Sequence, residues 1–123
     1  MLLIRNTADS KESFSPAQHL EFVKSCEVYI GKLKSEGKLI AAQPLVREGT
    51  MISGTTGSWN ETPYNDGKDV QVGYYHILAN NMADAIAIAK GNPEFEYTTT
   101  ARVEVRPIKM KEERTGFEYP KTA

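Results

Sequence analysis

Hydrophobic and polar positions along this chain of 123 residues switch between two periods. Met1 to Arg5 is a short run of branched apolar side chains and reads as a strand, and Asn6 to Ser13 is polar and reads as a loop. From Ser15 the period lengthens to that of a helix. Ser15 offers a hydroxyl N-cap, and Pro16 stands at N1, where its missing N–H costs nothing. Gly37 fits the position just past the end, so the pattern predicts a helix from residue 16 to about residue 36. On a helical wheel His19, Phe22, Val23, Cys26, Tyr29, Ile30 and Leu33 share one broad face, apolar enough to dock on a sheet.

Residues 38–45 (KLIAAQPL) read as a second strand, with Pro44 allowing only an edge or a strand end. Residues 50–53 form a weaker strand. Residues 54–67 are dense in Gly, Thr, Ser, Asn and Asp and hold Trp59 and Tyr64, so they read as a long loop or irregular hairpin. The strongest strand is 70–79. Strict alternation places Val70, Val72, Tyr74, His76 and Leu78 on one of its faces and Gln71, Gly73, Tyr75, Ile77 and Ala79 on the other. A second helix is predicted over 82–90, capped by Asn80 or Asn81 and stopped by Gly91. In the last strand, 99–108, Ala101, Val103 and Val105 oppose Arg102, Glu104 and Arg106.

This order predicts an α+β fold of the ferredoxin-like type, an antiparallel sheet with both helices on one face, within a single domain over 1–108. Residues 109–123 form a charged C-terminal tail carrying Phe117 and Tyr119, read as either frayed or an arm on a partner. The second face of the sheet needs a cover of its own. A second subunit laying its sheet opposite would supply one, making a homodimer through the sheet face.

Composition narrows the function classes. Hydrophobic residues at 40% and charged residues at 25% fit a water-soluble globular chain. The net charge of −1 provides no footprint for nucleic acid and no attraction to an anionic membrane. Cys26 is the single cysteine, which excludes an internal disulfide and a thiolate zinc site and makes a core role its simplest reading. The opening apolar run is too short for a signal peptide, and no run is long enough to span a membrane, so a cytoplasmic location is expected. His19 and His76 show no metal-binding spacing, and no Gly-rich strand-to-helix turn of the nucleotide-binding kind occurs. No metal or cofactor is expected.

The ordered motifs carry a resemblance. Met1-Leu2-Leu3-Ile4-Arg5 is an apolar strand ending in Arg, and Ser35-Glu36-Gly37-Lys38-Leu39 closes the first helix. Glu61-Thr62-Pro63-Tyr64 keeps a proline and an aromatic ring, and Asp66-Gly67-Lys68-Asp69 an acid–base–acid pattern. Gly73-Tyr74-Tyr75 and Val103-Glu104-Val105-Arg106-Pro107 follow. In this order, over residues 1–108, they resemble the YCII-related (DGPF) family of the dimeric α/β-barrel superfamily. Glu61 and Thr62 depart from the Asp-Gly of its name-giving motif, where glycine would admit positive φ.

The resemblance implies a sheet-to-sheet dimer with a cleft beside the first helix. It also implies a small-molecule-binding protein or an enzyme of lyase or dehydrochlorinase type. A related branch is regarded as enzymatic, using a His of the first helix with an Asp. Here that His is His19, a base near a helix start, where the dipole favours the neutral imidazole, with Asp66 or Asp69 as its orienter. The bland alternatives are a rim histidine and a polar turn. Arg5 or Arg106 would anchor an anion, although Arg106 also reads as the partner of Glu104 in an ion pair across the dimer interface. Trp59 and Tyr64 would line an apolar wall or pin the loop to the body. The competing class is a non-catalytic ligand-sensing or interaction module, with partner contacts made by the tail and the Trp59 loop.

Overall fold

The computed structural model describes residues 1–64 and 69–120. Its elements are β1 (Leu2–Thr7), α1 (Pro16–Ser35), β2 (Leu39–Pro44), β3 (Thr50–Thr55), β4 (Ser58–Pro63), β5 (Asp69–Ile77), α2 (Met82–Lys90), α3 (Glu94–Tyr97) and β6 (Arg102–Val105). The fold is α+β. Four strands form one sheet in the order β2-β5-β1-β6, with every neighbouring pair antiparallel. Strands β3 and β4 make a separate antiparallel hairpin.

Local chemistry explains the helix boundaries. The Gln18 N–H donates to Ser15 Oγ at 3.1 Å while the Ser15 N–H donates to Gln18 Oε1 at 2.8 Å. This reciprocal cap satisfies two orphan donors of the first turn. At the other end Gly37 adopts φ +69°. The Lys38 N–H then reaches Leu33 O at 2.9 Å and the Gly37 N–H reaches Lys34 O at 3.0 Å, the paired closure of a left-handed stop. Asn81 caps α2 through the Asp84 N–H at 2.8 Å.

One core holds the body together. Leu2 and Ile4 of β1, Val70, Val72, Tyr75 and Ile77 of β5, Leu33 of α1, and Ile88 and Ala89 of α2 are all buried in it. Val103 and Val105 of β6 pack against them. Strict alternation fails in β5. Ile4 pairs with Gly73 but Arg5 pairs with Gln71, so Val72 is an extra residue, a bulge. It lets Val70 and Val72 share the core with Tyr75 and Ile77 and leaves Tyr74 and His76 half-buried across the sheet with Gln71. The face pairing expected from periodicity is therefore corrected at Val72.

Only the C-terminal half of α1 docks well. Twenty residues make a helix about 30 Å long, whereas a six-residue strand spans about 20 Å, so α1 outruns the sheet. Its first turns overhang, and Phe22 is held by an edge-on contact to Tyr97, ring centroids 5.4 Å apart. The stretch expected to be a long loop or irregular hairpin is a regular hairpin as far as Pro63. Gly54 (φ +114°) and Gly57 (φ +83°) make its turn possible, and a Cβ on Gly54 would lie 2.1 Å from Ser58 O.

Candidate functional site

β1 sends consecutive side chains to opposite faces of the sheet, and two polar clusters result. On the core side Asn6 is fully buried. Its Nδ2 donates to Glu94 Oε1 at 2.9 Å and to Thr98 Oγ1 at 3.0 Å, and its Oδ1 accepts from Thr100 Oγ1 at 2.6 Å and from the Thr7 N–H at 2.8 Å. Glu94, also buried, pairs with Lys11, whose ammonium lies 4.7 Å from the Phe22 ring centre. This cluster ties the loop before α1 to α3 and the end of β1.

On the other face, no helical side chain joins the set formed by Arg5, Asp69 and Arg102. Asp69 Oδ2 accepts from Arg5 Nε at 2.9 Å and lies 2.6 Å from Arg102 Nη2. The register explains the meeting, since Arg5 stands opposite Arg102 across β1–β6 and Asp69 opposite Thr7 across β1–β5. Two arginines in cross-strand register repel, and a shared carboxylate removes that cost. The guanidinium of Arg102, then that of Arg5, holds the Asp69 carboxyl below its usual range, and the Asp69 bond raises Arg5. Such a carboxylate accepts protons poorly and suits anchoring rather than base chemistry. Two cations on one anion give this three-residue set a net charge of +1, with guanidinium donors that have no partner among the described residues.

The remaining expected site residues are dispersed. His19 is exposed in the first turn of α1 and pairs with no described carboxylate within 4.0 Å. Asp66 lies outside the described residues. Tyr64 is half-buried against the core and its hydroxyl accepts the Gln71 N–H at 3.0 Å, so it pins the segment to β5. Trp59 sits on β4 and is 62% exposed. Arg106 follows β6 at the opposite end of the sheet from Asp69, where it lies 3.6 Å from Glu104 and lines a cavity of about 430 Å³. His76 lines the same cavity.

Cys26 is half-buried, and burial pushes its thiol up to about 11, as an inert packing residue requires. Tyr29 donates to Ile88 O at 2.6 Å, and burial raises its phenol to about 12. Among the described residues no group of three or more His, Cys, Asp or Glu could hold a metal ion, and no helix is long and apolar enough to cross a membrane. Sequence reasoning missed Arg102 as a site residue and missed the Asn6–Glu94–Lys11 cluster altogether. The tail was expected to be either frayed or an arm on a partner. Its residues 110–119 fold into a turn, with the Glu112 N–H on Phe117 O at 2.8 Å and the Tyr119 N–H on Met110 O at 2.9 Å. Compared with protein-family models and with curated proteins, the chain finds no match.

Proposed function

We propose that this chain is a small-molecule-binding protein of the YCII-related type, a ferredoxin-like protomer that pairs with a second copy across the uncovered face of its sheet. The observation that carries this reading is that face itself. Leu3, Tyr74, His76 and Gln71 are half-buried there, and Asp69 is held by Arg5 and Arg102. A sheet face of this mixed character is neither a solvent face nor a core, and a two-fold partner would cover it. The strand order supports the fold assignment. β1, β2, β5 and β6 follow the split β-α-β pattern, with the β3–β4 hairpin inserted between its second and third strands. Net charge +1 at the Arg5–Asp69–Arg102 cluster suits an anionic group from a ligand or the partner subunit.

Sedimentation equilibrium tests the pairing. The expected result is a mass of two chains at micromolar protein, and dissociation on replacing half-buried Leu3 by Glu while the circular dichroism spectrum stays unchanged. A monomer at all concentrations overturns the reading.

The exposed hairpin favours a second reading, an interaction module. Met51, Ile52 and Trp59 are all at least half exposed, and a two-stranded ribbon is marginal alone in water. Trp59 is the only tryptophan, so its emission reports directly on this arm. A blue shift on adding a partner protein, with none on dimerisation, would favour that reading.

A further inference from the structure

We infer that the cavity at the far end of the sheet is a binding site for an aliphatic monocarboxylate. This rests on the small-molecule-binding half of the proposed function and names a site and a ligand class for it. The cavity caps the end of the sheet where β1 and β2 begin and β5 and β6 finish, and α2 and the C-terminal turn wall it in. Its volume, about 430 Å³, lies within the range of roughly 300–1,000 Å³ that small-molecule sites occupy.

The lining specifies the chemistry. Leu78, Met82, Val105, Ile108 and Met110 give aliphatic and thioether walls with no aromatic ring among them. Flexible, polarisable methionines from opposite sides suit a chain of variable conformation better than a flat ring. Among the described residues no Asp or Glu lines the cavity, while Arg106, His76 and Asn81 do, and the Met1 ammonium there donates to Arg106 O at 2.8 Å. Arg106 is ion-paired with Glu104 at 3.6 Å, too long for a hydrogen bond, so its guanidinium donors have no hydrogen-bond partner among the described residues. Asn81 uses its Oδ1 to cap α2 and its Nδ2 has no partner among the described residues. One guanidinium fork, one imidazole and one amide match a singly charged, planar head group. An apolar tail against the methionines and a carboxylate at Arg106 satisfy both halves of the wall.

The test uses the full-length protein, with decanoate and decan-1-ol as probes, by isothermal titration calorimetry and by methyl NMR of the methionines. Saturable decanoate binding with a Kd below about 1 mM is expected, with shifts at Met82 and Met110. Decan-1-ol should bind at least about tenfold more weakly, the loss of one charge-assisted contact. Arg106→Gln should cost decanoate about tenfold and leave decan-1-ol unchanged. Ala85→Phe, which fills the cavity from α2, should abolish both, and Arg106→Gln keeps the test decisive if that variant does not fold. No saturable decanoate binding, equal affinity for the alcohol, or indifference to Arg106→Gln overturns the assignment. Sedimentation of the same samples separates the two failures. A dimer that ignores decanoate loses only this site, whereas a monomer that binds it loses only the pairing.

Discussion

Arg5 and Asn6 are neighbours in β1, yet their clusters obey different rules. Asn6, Glu94 and Lys11 are enclosed, and every polar atom named there has a partner. Arg5, Asp69 and Arg102 have similar geometry but are 30%, 36% and 66% exposed at their side chains. Water screens the second cluster, so its ion pairs add little to folding. The first cluster tolerates no missing member, because each loss strands a buried group. Charge that the fold does not depend on is charge free for recognition, and that is why the open face and not the buried network carries the functional proposal.

Removing one member of the enclosed network tests the contrast most severely. Glu94→Ala leaves the Lys11 ammonium and the Asn6 amide without their shared acceptor. We expect a loss of about 3–5 kcal/mol, measured by urea unfolding. A loss below 1 kcal/mol would mean that water reaches the cluster and that the two regions are not distinct.

On the open face, Asp69→Ala should change protomer stability by no more than about 1 kcal/mol, since Arg5 and Arg102 then oppose each other in water. The larger expected effect is on pairing. Two uncompensated arginines at an interface should weaken the dimer about tenfold or more, read by sedimentation across a concentration series. Equal effects on folding and on pairing would make this cluster a structural one.

These regions also differ in how legible they were in the sequence. Ser15, Pro16, Gly37 and Asn81 act on groups within a few residues, so their roles are written locally, and the helix boundaries follow. Arg5, Asp69 and Arg106 could be singled out by chemical type. Their partners could not, because the Arg5–Asp69 and Asn6–Glu94 contacts join residues 64 and 88 positions apart. The strand order held the missing signal. With β6 beside β1 in the observed register, Arg102 faces Arg5, and a nearby acid offsets their repulsion. The Val72 bulge is an inter-strand event that no single-strand period can reveal. His19 was placed on a docking face by a periodicity that knows nothing of where the sheet ends.

Acid titration separates the two clusters more finely. Asp69 has a folded pKa held below its unfolded value, so its contribution is present above about pH 4 and is lost as pH falls through the folded value. Because the group is over a third exposed, the effect should be a fraction of 1 kcal/mol. The difference in urea midpoint between the wild type and Asp69→Asn should shrink from pH 6 to pH 3. A difference that grows on acidification would reverse the sign and place the proton on a different group.

His19 is the limiting case, an ionisable side chain with neither enclosure nor a described partner. A position of this kind has nothing to strand when it is truncated. His19→Ala should therefore move stability by no more than about 0.5 kcal/mol and leave decanoate affinity within twofold, since the cavity lining does not include it. Side-by-side calorimetry of His19→Ala and Arg106→Gln makes the measurement. If His19→Ala instead abolishes ligand binding while the dimer stays folded, the overhanging first turn of α1 belongs to the site, and the acid–base reading of this histidine replaces the one argued from the cavity.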